Sequence, residues 1–156
     1  MRKIKKIHIY SIAIALISYY FLKENIRYTL LPHKIAIEYL YNIDFVFSQN
    51  VGYVQSDGVF AISGNCLGVN MFLSFFLILI FGFYEKFTFI KSKIVKFTSF
   101  YLFSLISALI LTIVRIAASI PFCTSDSFVL IHNVISLSIY FLSAMVLYYT
   151  MERITK

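Results

Sequence analysis

Four stretches of the chain are almost wholly apolar: 7–22, 66–84, 97–120 and 128–149. Each is near the roughly 20 residues that an α-helix needs to cross about 30 Å of hydrocarbon. The pattern predicts an all-α polytopic membrane protein with four main transmembrane helices in a single membrane domain, 1–156. Between the first two runs, 32–47 mixes Ile35, Ile37, Leu40 and Ile43 with Lys34, Glu38 and Asp44. That segment is too charged to span, and the mixture suits a helix lying in the membrane interface. Further on, 51–56 and 59–63 flank Asp57-Gly58, a dipeptide that supplies the positive φ angles of a two-residue turn. A small β-hairpin is expected there, leading directly to Cys66.

Composition agrees with this reading and removes several others. Apolar residues make up 60% of the chain and charged residues 13%, against about 25% charged in an ordinary soluble domain. A net charge of +7 would suggest nucleic acid in a soluble protein, but here the basic residues cluster beside apolar runs and read as topology signals, so no nucleic-acid partner is expected. The clusters are Arg2, Lys3, Lys5 and Lys6, then Lys86, Lys91, Lys93 and Lys96, then Arg153 and Lys156. By the positive-inside rule both termini and the 86–96 loop are cytoplasmic, with 23–65 and 121–127 outside. Lys23, Arg27 and Lys34 count against the scheme as a minority. The first run resembles a signal peptide in its basic flank, but no small-residue cleavage pattern follows Tyr19-Tyr20-Phe21, so an uncleaved anchor is expected.

Three chemically capable side chains then reach one outer layer. Arg115 lies about five residues, or roughly 8 Å, below the outer end of the third run, a depth at which a charge is expensive. His132 enters the fourth run to a similar depth, and Cys66 opens the second from outside. Cys66, Asn70 and Ser74 fall at i, i+4 and i+8. Ser104, Ala108, Leu111 and Arg115 share a face with Thr112 close by, and His132, Ser136, Ile139 and Ser143 form a third stripe. Small and polar residues line helix contacts in lipid, so these faces are expected to point into the bundle. Each residue also has a plainer role open to it. Arg115 can snorkel to lipid phosphate, His132 can serve a structural hydrogen bond, and Cys66 can be a small core residue or pair with Cys123. His8 and His33 are read as boundary residues.

Such a trio permits acyl transfer. Cys66 would be the nucleophile, favoured as thiolate by a base or a helix start. His132 would protonate the leaving amine, and Arg115 would place two donors on the developing oxyanion. The two cysteines form no C-x-x-C, and no His/Cys group has metal-ligand spacing, so no cofactor is implied.

At Gly64-Asn65-Cys66-Leu67-Gly68, Thr112-Ile113-Val114-Arg115 and His132-Asn133-Val134-Ile135-Ser136, in that order on successive helices, the chain resembles the exosortase/archaeosortase family, and most of all its short exosortase K-like branch. The resemblance covers roughly 50–150. Asn65 and Leu67 stand where the family's Cys motif has Ala and Ser, Thr112 stands where its Arg motif has Asn, and Ser136 stands where Gly is frequent. The resemblance implies that Cys66, Arg115 and His132 match the family's proposed catalytic residues, with Asn70, Thr112 and Asn133 as supporting candidates. It further implies a multi-pass enzyme of the bacterial plasma membrane with an outward-facing site. Its partner would be a membrane-anchored exported protein carrying a C-terminal sorting signal, which is cleaved and whose new carboxyl end is passed to an acceptor. Two other classes remain: a membrane thiol-disulfide oxidoreductase using Cys66 and Cys123, and a non-enzymatic assembly or transport subunit in which Arg115 and His132 bind an anionic ligand.

Overall fold

The computed structural model describes residues 6–155; Arg2, Lys3, Lys5 and Lys156, which enter the charge argument, lie outside the described residues. Six helices and three strands follow one another as α1 (Lys6–Glu24), α2 (Ile26–Thr29), α3 (Leu31–Tyr41), β1 (Phe45–Ser48), β2 (Gly52–Gln55), β3 (Ala61–Ser63), α4 (Val69–Ile78), α5 (Lys93–Ser119) and α6 (Phe128–Ile154). A 3-10 turn, Gly64–Leu67, precedes α4, and α4 passes into a π-turn at Leu79–Phe83. The protein is thus mostly helical with one small sheet. Three segments are long and apolar enough to cross a membrane: Gly64–Phe83, Lys93–Phe122 and Phe128–Ile154. α1 is not one of these three; Lys6, His8, Lys23 and Glu24 dilute its 19 residues.

The bundle core is aromatic and centres on α4. Phe72, Phe75, Phe76, Leu79, Ile80 and Phe83 are all but inaccessible, and Phe100 and Ala108 of α5 close over them. α5 buries Phe100, Ser104, Ala108, Thr112 and Ile116, a strict spacing of four that lays one narrow stripe against α4. α1 does the same with Ser11, Ala15 and Ser18 while Ile9, Ile12, Leu16 and Ile17 stay exposed. Small residues let the helix backbones approach in the absence of a hydrophobic drive between lipid-solvated helices. Apart from Thr112, the polar groups in these stripes find partners at once. The Ser11 hydroxyl donates to the Ile7 carbonyl (2.8 Å), Ser104 to the Phe100 carbonyl (2.7 Å), and Ser18 shares a hydrogen bond with Tyr101 (2.9 Å). Lys96, which belongs to α5 and not to a preceding loop as the charge pattern suggested, is buried and donates to the Tyr84 carbonyl at 3.1 Å.

Above the bundle sits a cap made by α2, α3 and the sheet. Its core is Leu30, Ile37, Phe45, Tyr53, Phe60 and Ile62, joined by Cys66, Leu67, Val69 and Ile116 from the bundle's upper end. The interfacial helix expected over 32–47 is shorter than that. It stops at Tyr41 because Asn42 takes a left-handed conformation (φ 52°, ψ 48°) and returns its N–H to the Glu38 carbonyl at 2.9 Å, the usual device for ending a helix. Glu38 then accepts from the Phe45 N–H (2.9 Å), which starts β1. The expected hairpin exists as β2 and β3, paired Tyr53 with Ile62 and Val54 with Ala61, but β1 adds a third strand in the order β1-β2-β3. Its turn is not the two-residue form. Only Gly58 has positive φ (77°), Asp57 instead accepts from the Val59 N–H (3.1 Å), and the Gln55 N–H reaches past both to the Phe60 carbonyl (2.8 Å).

Candidate functional site

The apolar segment carrying Cys66 begins at Gly64, but regular helix begins only at Val69. Gly68 interrupts it with φ 66°, and a Cβ there would lie 2.1 Å from the Thr112 hydroxyl oxygen. Only glycine fits both the backbone and the space. Cys66 therefore lies in the 3-10 turn ahead of α4 and not in its first turn, which corrects the expected helix-start position and breaks the Cys66, Asn70, Ser74 stripe. The Cys66 side chain is 7% exposed and packs into the cap core, with Cys123 against the same cluster; both thiols are free. Ser74 is instead hydrogen-bonded to the Tyr140 hydroxyl.

α5 brings Arg115 directly to this turn. Its Nη2 donates to the carbonyl of Asn65, the residue before Cys66, at 3.3 Å, while its Nε is buried without an acceptor. One turn below, Thr112 is fully buried beneath Gly68, and its hydroxyl has no partner. His132 of α6 reaches the same place indirectly. The Ser119 hydroxyl donates to the Arg115 carbonyl (2.8 Å), so the 3.0 Å contact between Ser119 Oγ and His132 Nδ1 has the ring as donor. That network assigns the proton to Nδ1 and leaves Nε2 as the acceptor. Phe128 packs against the imidazole with ring centres 5.6 Å apart.

A cavity of about 620 Å³ opens beside these residues; Asn65, Asn70, Arg115, Asn133 and Ser136 line it, together with Lys23, Tyr19 and Tyr140. The structure thus gathers Arg115, Asn70 and Asn133 around one space, with Thr112 directly behind. Neither Cys66 nor His132 lines that space. Among the described residues no side-chain hydrogen bond joins Cys66 to His132; their connection runs through Asn65, Arg115 and Ser119.

His33 is the residue that sequence reasoning missed. Far from marking a boundary, it is 1% exposed, and neither ring nitrogen has a hydrogen-bond partner. It sits one turn before Ile37 on the face of α3 that packs on α5. Burial lowers its pKa from the ordinary 6.5 to about 4; the nearby Thr29 carbonyl opposes that shift and the Arg115 charge adds to it. His33 is therefore a neutral imidazole at the edge of the Arg115 site. Its spacing with Ile37 was the available signal.

No protein-family model, curated protein or solved structure matches the chain.

Proposed function

We propose that this chain is an exosortase-like cysteine transpeptidase of the bacterial plasma membrane. It would cross the bilayer four times, with α1 as the first span, both termini cytoplasmic and the cap outside. α1 supports that count by turning one small-residue face to the bundle and an apolar face outward. The substrate is an exported protein held by a C-terminal sorting signal, cleaved at the outer leaflet and transferred to an acceptor.

The observation that carries this reading is the Arg115 fork. One arm holds the Asn65 carbonyl next to Cys66, and its Nε is buried without an acceptor. A donor so placed suits an oxyanion, where removing a partner typically costs about 10²- to 10³-fold in rate. In the reaction His132 Nε2 takes the Cys66 proton. The thiolate then adds to the scissile carbonyl carbon, forming the C–S bond as the carbonyl electron pair moves to oxygen beside Arg115. Collapse breaks the C–N bond, and the His132 imidazolium protonates the leaving amine. The neutral His132 then takes a proton from an acceptor amine or water as that group attacks the thioester; the C–S bond breaks, and the departing thiolate recovers the proton from the imidazolium. This sequence requires the Cys66 thiol to turn from the cap core toward the cavity. The turn that carries it is bounded by Gly64 and Gly68, so the motion is confined to four residues.

The test is mass spectrometry of Cys66. The wild type deprived of acceptor should carry substrate on Cys66 as a thioester, His132→Ala should form little thioester and little product, Cys66→Ala should stop processing with normal membrane insertion, and Cys123→Ala should be nearly silent. Equal loss in both cysteine variants would favour the oxidoreductase reading, for which the packing of both free thiols against one cluster is the supporting observation.

A further inference from the structure

The 620 Å³ cavity beside Arg115 has the size of a small-ligand site, roughly 300–1,000 Å³. Its charge is one-sided. α1 brings Tyr19 and Lys23 to it, four residues apart on one face, and α5 brings Arg115, while none of the chain's aspartates or glutamates lines it. Among the described residues neither cation has a carboxylate partner. The Lys23 Nζ lies 4.6 Å from the centre of the Tyr19 ring, itself a wall of the cavity, and Arg115 gives one donor to the Asn65 carbonyl at 3.3 Å. Lys23 is also one of three cations on the outer side of the proposed topology, against the positive-inside tendency. The other two are engaged elsewhere: Lys34 pairs with Glu38 at 2.9 Å, and Arg27 lies over Phe47, 5.4 Å from the ring centre.

The remaining lining adds neutral donors at the same end. Asn65 of the 3-10 turn, Asn70 of α4 and Asn133 of α6 are all exposed and all face the cavity. α6 then continues with Ser136, Leu137 and Tyr140, the spacing of a single helix face, so the cavity follows about 10 Å of that helix. Its deep end is aromatic: Tyr140, whose hydroxyl is already bonded to Ser74, and Tyr19, one turn below Lys23. Two cations and three amides at the outer end select an anion. A carboxylate offers one charge and two oxygens, which leaves one cation unmatched. A phosphomonoester carries about −1.5 to −2 at pH 7 with three acceptor oxygens, and so matches a guanidinium fork and an ammonium together.

We propose that this cavity binds a phosphomonoester, with the phosphate between Lys23 and Arg115 and the Asn65, Asn70 and Asn133 amides donating to it. The site stands on charge and lining alone and does not require the transpeptidase reading. It differs from the Arg115 and His132 anion site expected from the sequence, because Lys23 and not His132 lines the cavity. The phosphate belongs either to a lipid headgroup or to a soluble molecule, and the two sources separate by experiment.

The full chain is purified in nonionic detergent and held at about pH 8, where a phosphomonoester is dianionic. One arm titrates glycerol phosphate by calorimetry. The other adds phosphatidate or phosphatidylglycerol, a monoester and a diester headgroup, and counts retained lipid by native mass spectrometry. Retention of phosphatidate about tenfold over phosphatidylglycerol would establish the site with a lipid source, and saturable binding of glycerol phosphate without that preference would establish it with a soluble one. In whichever arm binds, Lys23→Gln should weaken binding about tenfold, the scale of one lost charge-assisted hydrogen bond, and Lys23→Arg should keep most of it. Lys34→Gln, which removes a cation outside the cavity, should leave binding unchanged. Absence of binding in the first arm together with equal retention of the two lipids in the second would overturn the proposal. Equal losses in Lys23→Gln and Lys34→Gln would overturn it too, since diffuse surface charge would then account for the binding. Phosphomonoester binding with no thioester ever trapped on Cys66 would uphold the site and sink the enzyme reading, and a trapped thioester with no phosphomonoester binding would do the reverse.

Discussion

The lower bundle and the junction beneath the cap are built from the same helices yet solve opposite problems. In the bundle, each buried polar group is closed off: Ser104 bonds back to Phe100, Ser18 meets Tyr101, and Lys96 caps the Tyr84 carbonyl. Two turns higher on α5, Thr112 and its neighbour Arg115 keep buried polar atoms open, and so do Ser136 of α6 and His33 of α3. Orphaned donors and acceptors are destabilising, so their concentration at one joint points to a partner that arrives from outside the fold. One half of α5 closes off its buried polar groups and the other leaves them open.

That contrast is sharpest at Arg115. Arg115→Lys keeps the charge but replaces a planar fork with a point donor. The variant should insert and fold, and lose on the order of 10²-fold in turnover, measured as processing of a membrane-anchored substrate. Wild-type turnover would reduce Arg115 to a lipid-phosphate anchor. The matching cut in the bundle is Phe76→Ala. Phe76 has no exposure and meets Phe72, Phe97 and Tyr101 with ring centres 5.4 to 6.1 Å apart. Its truncation should cost about 3–5 kcal/mol in unfolding from micelles while leaving the chemistry of the surviving folded fraction intact. A catalytic defect without a stability defect would erase the division between the halves.

His33 gives the comparison a pH axis. Its folded pKa of about 4 lies below the ordinary 6.5, so between those values the unfolded chain takes up a proton that the folded chain refuses. The stabilising contribution is complete above pH 6.5 and is lost as pH falls toward 4, by up to about 3 kcal/mol. Unfolding free energies over that range should fall with acidity in the wild type and flatten in His33→Gln. A flat wild-type profile would mean that the ring is already protonated or already solvated.

The bundle half was the legible half. Spacings of four in Ser104, Ala108 and Thr112 mark the buried stripe of α5 directly, and span lengths alone put Arg115 and His132 at one depth. Three things were not legible, each for a local reason. Gly68 sits inside an apolar run and reads as helix, yet its left-handed backbone detaches Cys66 from α4. Asn42 ends α3 through a conformation that no hydrophobic period reports, which turned the expected helix end into β1. His33 belongs to an interfacial helix whose buried face is decided by what folds over it, here the sheet and α5, and not by its own pattern. The approach of Arg115 and His132 to the turn before α4 was readable from the spans; the packing of Cys66 into the cap core, away from the cavity, was not.

The smallest expected effect tests the comparison most finely. Thr112 is fully buried under Gly68 with an unpartnered hydroxyl, whereas Ser104, two turns below on the same stripe, spends its hydroxyl on its own helix. Replacing an unpaired buried hydroxyl by a methyl removes a desolvation penalty of about 1–3 kcal/mol, and the tight contact with Gly68 takes some of that back. Thr112→Val should therefore gain about 1 kcal/mol in unfolding free energy, while Ser104→Val should lose a comparable amount by overfilling a closed contact. If the Thr112 hydroxyl serves a bound substrate, the same variant should lower turnover as it raises the melting temperature, a stability gain set against function. A Thr112→Val protein that is less stable than wild type would show the hydroxyl to be satisfied within the fold, and the junction would then be no different in kind from the bundle below it.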